Sequence, residues 1–196
     1  MNQITITDSH CHLNCLNLEN YNGNLDAAIK SAEDNGVKHM LCVCIDLPHF
    51  PEVVAIAEKY ENIHTSVGVH PNEPEDQGTS VDELINLSAH PKVVAIGESG
   101  LDYFRSQGDL EWQRERFRQH IQAAKQVNKP IIVHTRDAKQ DTIKIMTEEG
   151  AEQPGGVMHC FTEDWVMAKQ ALDLGFYISF SGIVTFKNAQ TIKDVA

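Results

Sequence analysis

Two hydrophobic rhythms take turns along this chain. Short stretches rich in β-branched and aliphatic residues, at 3–10, 39–46, 64–69, 93–98, 130–134, 156–160 and 176–182, predict strands. Helical spacing fills the intervals. Leu25, Ala28, Ile29 and Ala32 keep a period near 3.6, and Gly36 marks the stop. Helices are also expected over 49–60, 80–89, 109–127, 138–149 and 163–174, the last closed by Gly175. The clearest is "DLEWQRERFRQHIQAAKQVN", with Trp112, Phe117, Ile121 and Ala124 on one stripe. Repeated strand–helix alternation predicts an α/β fold of parallel strands joined by helical crossovers, either a barrel or an open doubly wound sheet. No G-x-G-x-x-G follows the first strand and no G-x-x-x-x-G-K-[ST] occurs, so a nucleotide-binding open sheet loses ground. The expected fold is a TIM-type (β/α) barrel with about seven parallel strands, a single domain over residues 1–196.

Length and composition narrow the setting. The chain has 196 residues, 41% hydrophobic and 22% charged, ordinary values for a globular domain with a sizeable core. No apolar run approaches the roughly 20 residues of a membrane span, and "MNQITITDSH" lacks a signal-peptide pattern. A cytoplasmic location with no membrane partner is expected. Cys11, Cys15, Cys42, Cys44 and Cys160 are odd in number, and their spacings do not match the usual structural zinc patterns. Buried or half-buried free thiols are expected. The net charge of −12 disfavours a broad basic surface for polyanions, but leaves room for a phosphate held by metal ions in a local cleft.

A barrel collects its chemistry where the strands' C-terminal ends converge, and ligand-type residues cluster there. In "TDSHCHLN", Ile4, Ile6, Asp8, His10 and His12 would share one strand face. The third strand ends "VGVHP" with His70, and the fourth ends "AIGESGLDYF" with Glu98 and Asp102. The fifth ends "IIVHTRDA" with His134, Arg136 and Asp137, and the sixth ends "GVMHCF" with His159. One histidine at a strand end is more often a hydrogen-bonded structural residue. The agreement of position among His10, His12, Glu98, His134 and His159 points to metal ligands. His39, His49, His64, His90 and His120 lie at strand starts or on helical and loop segments and are read as surface or packing residues. Gly97 and Gly100 would let the backbone turn and leave the Glu98 carboxylate exposed, able to bridge two cations. Imidazole with carboxylate suits zinc, manganese or iron, with magnesium at the carboxylate. Two divalent ions could clamp a phosphoryl centre and generate a hydroxide nucleophile at neutral pH. Ser99 lacks the G-x-S-x-G context of a nucleophile.

At these residues the sequence resembles the TatD-type metal-dependent deoxyribonucleases, within the wider amidohydrolase-like barrels. The matching motifs are "DSHCHL" at 8–13, "GVHP" at 68–71, "AIGESGLDYF" at 95–104, "PIIVHTRDA" at 130–138, "GVMHCF" at 156–161 and "SGIVTFKNA" at 181–189. The resemblance implies that His10 and His12 bind one ion, that Glu98 bridges and takes part in catalysis, and that His134 and His159 bind the second. It implies that His70 and Arg136 meet substrate phosphate, and that two divalent ions (zinc, magnesium or manganese) support hydrolysis of DNA phosphodiesters. Many amidohydrolases bridge their metals through a carbamylated lysine on strand four. Here that strand carries Glu98, and its lysine, Lys92, lies at the start. Two departures stand out. Ser99 stands where the family more often has an apolar residue or cysteine, and the chain ends at Ala196, before the family's aspartate after strand eight. A C-terminally truncated barrel is therefore expected, with open edges that could support a homo-oligomer. Two other functions stay open: a metal-dependent ester or amide hydrolase acting on aminoacyl-tRNA or a cyclic amide, and a non-catalytic metal-binding remnant.

Overall fold

In a computed structural model that describes residues 5–196, seven parallel strands form one curled sheet in chain order. The strands are β1 (Ile6–Cys11), β2 (Val37–Cys42), β3 (Ile63–Val67), β4 (Val93–Asp102), β5 (Ile131–Arg136), β6 (Gly156–Met158) and β7 (Tyr177–Ile178). The helices are α1 (Leu25–Asp34), α2 (Phe50–Lys59), α3 (Val81–Ser88), α4 (Glu111–Val127), α5 (Lys139–Glu148), α6 (Trp165–Asp173) and α7 (Gln190–Val195). This is the α/β order of a barrel, and among the described residues β1 and β7 each pair on one side only.

Local chemistry sets the helix ends. Asn24, Ser80 and Asp164 accept backbone N–H bonds at the starts of α1, α3 and α6. The strands alternate between two faces. Ile131 and Val133 join Cys42, Ile96 and Met158 in the large core beneath the helices, with Phe117, Ile121 and Ala124 of α4. Ile132 instead meets Val43 and Ala95 in a small core on the other face, against Leu41 and Val157. Two residues further along, the same face of β5 carries His134 and then Arg136.

Several sequence expectations are corrected. The first strand was expected at 3–10, but residues 1–4, and with them Ile4, lie outside the described residues. The fourth strand does not stop at Glu98. It runs on to Asp102 through a register shift between Ile96 and Ser99, so Glu98 lies inside it. Nor is the Glu98 carboxylate exposed: the residue is 4% accessible. The last strand is two residues long and gives way to a 3-10 turn at Gly182–Thr185. Cys42 and Cys44 are buried thiols as expected, whereas Cys15 is exposed.

Candidate metal centre

Glu98 stands at the middle of the strand ends. One oxygen, Oε2, lies 3.2 Å from His10 Nε2. The other, Oε1, lies 3.4 Å from His134 Nδ1 and 3.7 Å from His70 Nε2. The His10 ring stacks on His159 with centroids 3.3 Å apart. Two sets of donor atoms are thus close enough to hold a cation each, His10–Glu98–His159 and His70–Glu98–His134. The local backbone allows this because two glycines let β4 and β5 approach closely. A Cβ on Gly97 (φ +121°) would sit 2.7 Å from the Ile132 carbonyl oxygen, and one on Gly100 (φ +140°) 2.0 Å from that of His134.

Hydrogen bonds to the outer ring nitrogens orient the imidazoles. His12 Nδ1 donates to the Val43 carbonyl at 3.0 Å, leaving the Nε2 lone pair free. His134 Nε2 donates to Asp102 Oδ2 at 3.1 Å, leaving Nδ1 as the lone pair that faces Glu98. His70 has the opposite polarity: its Nδ1 accepts from the Asn72 N–H at 3.1 Å, so the neutral ring carries its proton on Nε2, toward Glu98. Proximity therefore groups His70 with Glu98 and His134, but its tautomer makes it a donor rather than a ligand. His12 is outside both close sets, in edge contact with His10 at 5.1 Å between centroids.

The electrostatics suit a cation. Burial alone would push the Glu98 carboxyl up; the His10 imidazole beside it outweighs this and holds it well below the usual carboxylate range. Burial pushes His159 down to about 4, reinforced by His10. Burial likewise pushes His70 down to about 4, against the pull of Glu98. Burial and His10 lower His12. His12, His70 and His159 are therefore neutral near pH 7. Despite its closeness to Glu98, the buried His10 Nε2 has no aligned hydrogen-bond partner among the described residues. An orphaned imidazole nitrogen, a proton-free carboxylate and lone pairs converging on it form a donor set that fits divalent cations.

Helix α4 supports the site from behind. Gln113 accepts from the Asp102 N–H at 3.0 Å and donates to the Pro71 carbonyl at 2.9 Å, joining the segments that carry His134's partner and His70. Arg116 donates to the carbonyls of Glu73 (3.0 Å) and Pro74 (2.7 Å). His120, read from sequence as surface or packing, is fully buried. It accepts from the Val69 N–H at 2.9 Å and donates from Nδ1 to the Arg116 carbonyl at 2.8 Å. Ser99 is buried, its hydroxyl without a partner among the described residues and out of reach of a substrate. Arg136 lies at the end of β5 with its guanidinium carbon 3.8 Å from the Phe104 ring centroid. Sequence reasoning noted Asp102 at a strand end and assigned it no role. Gln113 and Arg116 carry no sequence signal beyond the stripe of α4.

Comparison with known proteins places this geometry. Residues 7–196 match the family described as TatD related DNase. The chain is 45% identical over 194 residues to the uncharacterized metal-dependent hydrolase YcfH of Escherichia coli K12, spanning 97% of this chain and 72% of that protein. It is 31% identical over 160 residues to a 3'-5' ssDNA/RNA exonuclease TatD of Shigella flexneri, spanning 81% of this chain and 62% of that protein. Among solved structures it superposes on YjjV, a TatD homologue from Escherichia coli K12, with a TM-score of 0.84 at 26% identity, over 96% of this chain and 73% of the other. With four strands and the turns after them bringing imidazole and carboxylate ligand atoms to one rim, and with these matches, the chain belongs to the TatD family of metal-dependent hydrolases.

Proposed function

We propose that this chain is a divalent-metal-dependent phosphodiesterase that hydrolyses DNA, its residues 1–196 acting as one hydrolase domain. The observation that carries this reading is the Glu98 carboxylate, which turns one oxygen to His10 and the other to His134. A carboxylate shared in this way suits two cations, and paired cations suit phosphoryl transfer. The name of the Shigella flexneri relative, a 3'-5' ssDNA/RNA exonuclease, supports nucleic acid as substrate. In this reading His10 and His12 hold one ion, His134 and His159 the other, and Glu98 is the shared, catalytically essential ligand. Zinc, manganese and magnesium are the candidate ions. Such ions, when bound, polarise a phosphoryl oxygen and lower the pKa of water.

The protein groups have their own tasks. Ionised Glu98 keeps both oxygens free of protons. Asp102 holds the His134 proton on Nε2 and so keeps Nδ1 available. His70 presents an Nε2–H, and Arg136 a guanidinium, as donors for phosphate oxygens. The free thiols fit a reducing compartment such as the cytoplasm, and no helix of the described residues is long and apolar enough to cross a membrane.

The test is hydrolysis of a labelled single-stranded oligonucleotide with added magnesium, manganese or zinc. Nucleotide release should be abolished by chelator and restored by metal. Glu98→Gln should lose at least the roughly 10- to 100-fold that changes to a ligand's supporting partners produce. Cleavage of an aminoacyl ester, with DNA untouched under all three metals, would assign the chemistry to a carbonyl centre instead. Bound metal with neither substrate cleaved would make the chain a binding remnant.

A further inference from the structure

Phe104 is 59% exposed, beside a site built from a buried carboxylate and half-buried imidazoles. A single exposed aromatic residue is common and needs no explanation by itself. This one differs in what fixes it. The Phe104 N–H donates to Asp102 Oδ1 at 3.1 Å, and the Arg105 N–H to the same oxygen at 2.9 Å. The other oxygen of that carboxylate holds His134. The Tyr103 N–H donates to the Arg136 carbonyl at 2.9 Å, and Asp102 and Arg136 are register partners across β4 and β5. The ring is therefore indexed to the metal-centre strands at two points.

Its partner, Arg136, has no carboxylate beside it among the described residues. Arg114 and Arg118 are paired with carboxylates, and Arg116 is occupied by backbone carbonyls. Among the described residues no ion pair or side-chain hydrogen bond engages the Arg136 guanidinium, which lies over the Phe104 ring face. Stacking on an aromatic face holds a guanidinium flat while leaving its edge N–H groups free for phosphate. Arg136 stands two residues past His134 on the same strand face, about 6.6 Å along the strand.

Net charge completes the argument. At −12 the chain as a whole repels a polyanion, so a DNA strand must be held by local contacts. Base stacking is such a contact, because it depends little on charge and tolerates any base. Resting on the proposed phosphodiesterase reading, we propose that Phe104, stacked on Arg136 beside the metal centre, is a base-stacking platform that selects an unpaired nucleotide at the end of a strand. A base inside a duplex has both faces covered and cannot use it.

Binding and turnover of one set of short oligonucleotides test this. Each probe carries 2-aminopurine at one terminus, with a matched probe abasic there and a duplex with the 2-aminopurine internal. Binding to the wild-type chain should quench the single-stranded probe and not the internal duplex probe. Phe104→Ala should abolish the quench and weaken binding roughly 5- to 150-fold, the range for one stacked base. The loss should appear in KM with kcat nearly kept, Phe104→Tyr should restore it, and the penalty should shrink toward one on the abasic probe. Because Phe104 is exposed, the alanine variant should keep the wild-type melting temperature. Equal losses on base-ended and abasic probes, or failure of Phe104→Tyr to rescue, would overturn the platform. Quenching does not require cleavage. A quench that depends on Phe104 without hydrolysis would sink the phosphodiesterase reading and keep the platform, while hydrolysis with no dependence on Phe104 would do the reverse.

Discussion

Asp102 never faces the cation site directly, yet it governs a residue that does. Its Oδ2 accepts from His134 Nε2 at 3.1 Å. Asp102→Asn would present an amide where the carboxylate fixes the tautomer. Metal affinity measured by calorimetry should fall roughly 10- to 100-fold, the usual effect of losing such a partner, with the far-ultraviolet circular dichroism unchanged. Protonation sets a second expectation. His159 is pushed down to about 4 by burial and by His10. Its neutral, ligand-competent form should persist well below the ordinary histidine value of about 6.5. Followed by NMR in the metal-free chain, the His159 imidazole should change protonation near pH 4. A His159 transition centred at about pH 6.5 would show that the ring titrates as though exposed. The strand-end histidines were legible because strand parity places alternate residues together and parallel strands finish at one rim. The different polarity of His70 was not legible: it depends on a hydrogen bond from Asn72, which no spacing announces.

Among the elements, α4 does most to shape the site without contributing a ligand. Its apolar stripe was readable, and Phe117, Ile121 and Ala124 are indeed core residues. The polar residues on the same buried side were not readable, because Gln113, Arg116 and His120 bond to segments more than forty residues earlier in the chain. His120→Phe would leave the buried Val69 N–H without its acceptor, at a cost of about 1–3 kcal/mol, read as a lower urea midpoint with the m-value kept. Wild-type stability should fall between about pH 6.5 and 4. Burial pushes His120 down to about 4, so in that window the unfolded chain binds the proton that the native chain refuses. His120→Phe should flatten that slope, and an unchanged slope would remove His120 from the account. Strand boundaries show a limit of the same kind. Gly97 and Gly100 read as punctuation at the end of the fourth strand, whereas the structure uses their missing side chains to press β4 against β5.

At the scale of the molecule, the donor residues come from β1, β4, β5 and β6 and the turns that follow them, so a bound cation ties distant parts of the sheet together. Metal that binds only the folded chain stabilises it by about 2.7 kcal/mol at a hundredfold excess over Kd. For a chain of this size that corresponds to a rise in melting temperature of several degrees, reversed by chelator. The same melting temperature with and without metal would argue that the donors are not preorganised around a cation. The sheet order was legible, because alternating strands and helices leave few topologies open. The edges carry a consequence: β1 and β7 each present one unpaired side among the described residues, and such edges favour association. Light scattering should detect concentration-dependent self-association; a monomer at every concentration would show that the edges are protected. The most direct measurement is anomalous X-ray diffraction from manganese- or zinc-loaded crystals. The account predicts two peaks roughly 3.5–4 Å apart, both within reach of Glu98, with His10 and His12 near one and His134 and His159 near the other. Peaks remote from Glu98, or a single ion that leaves one of its oxygens free, would contradict it.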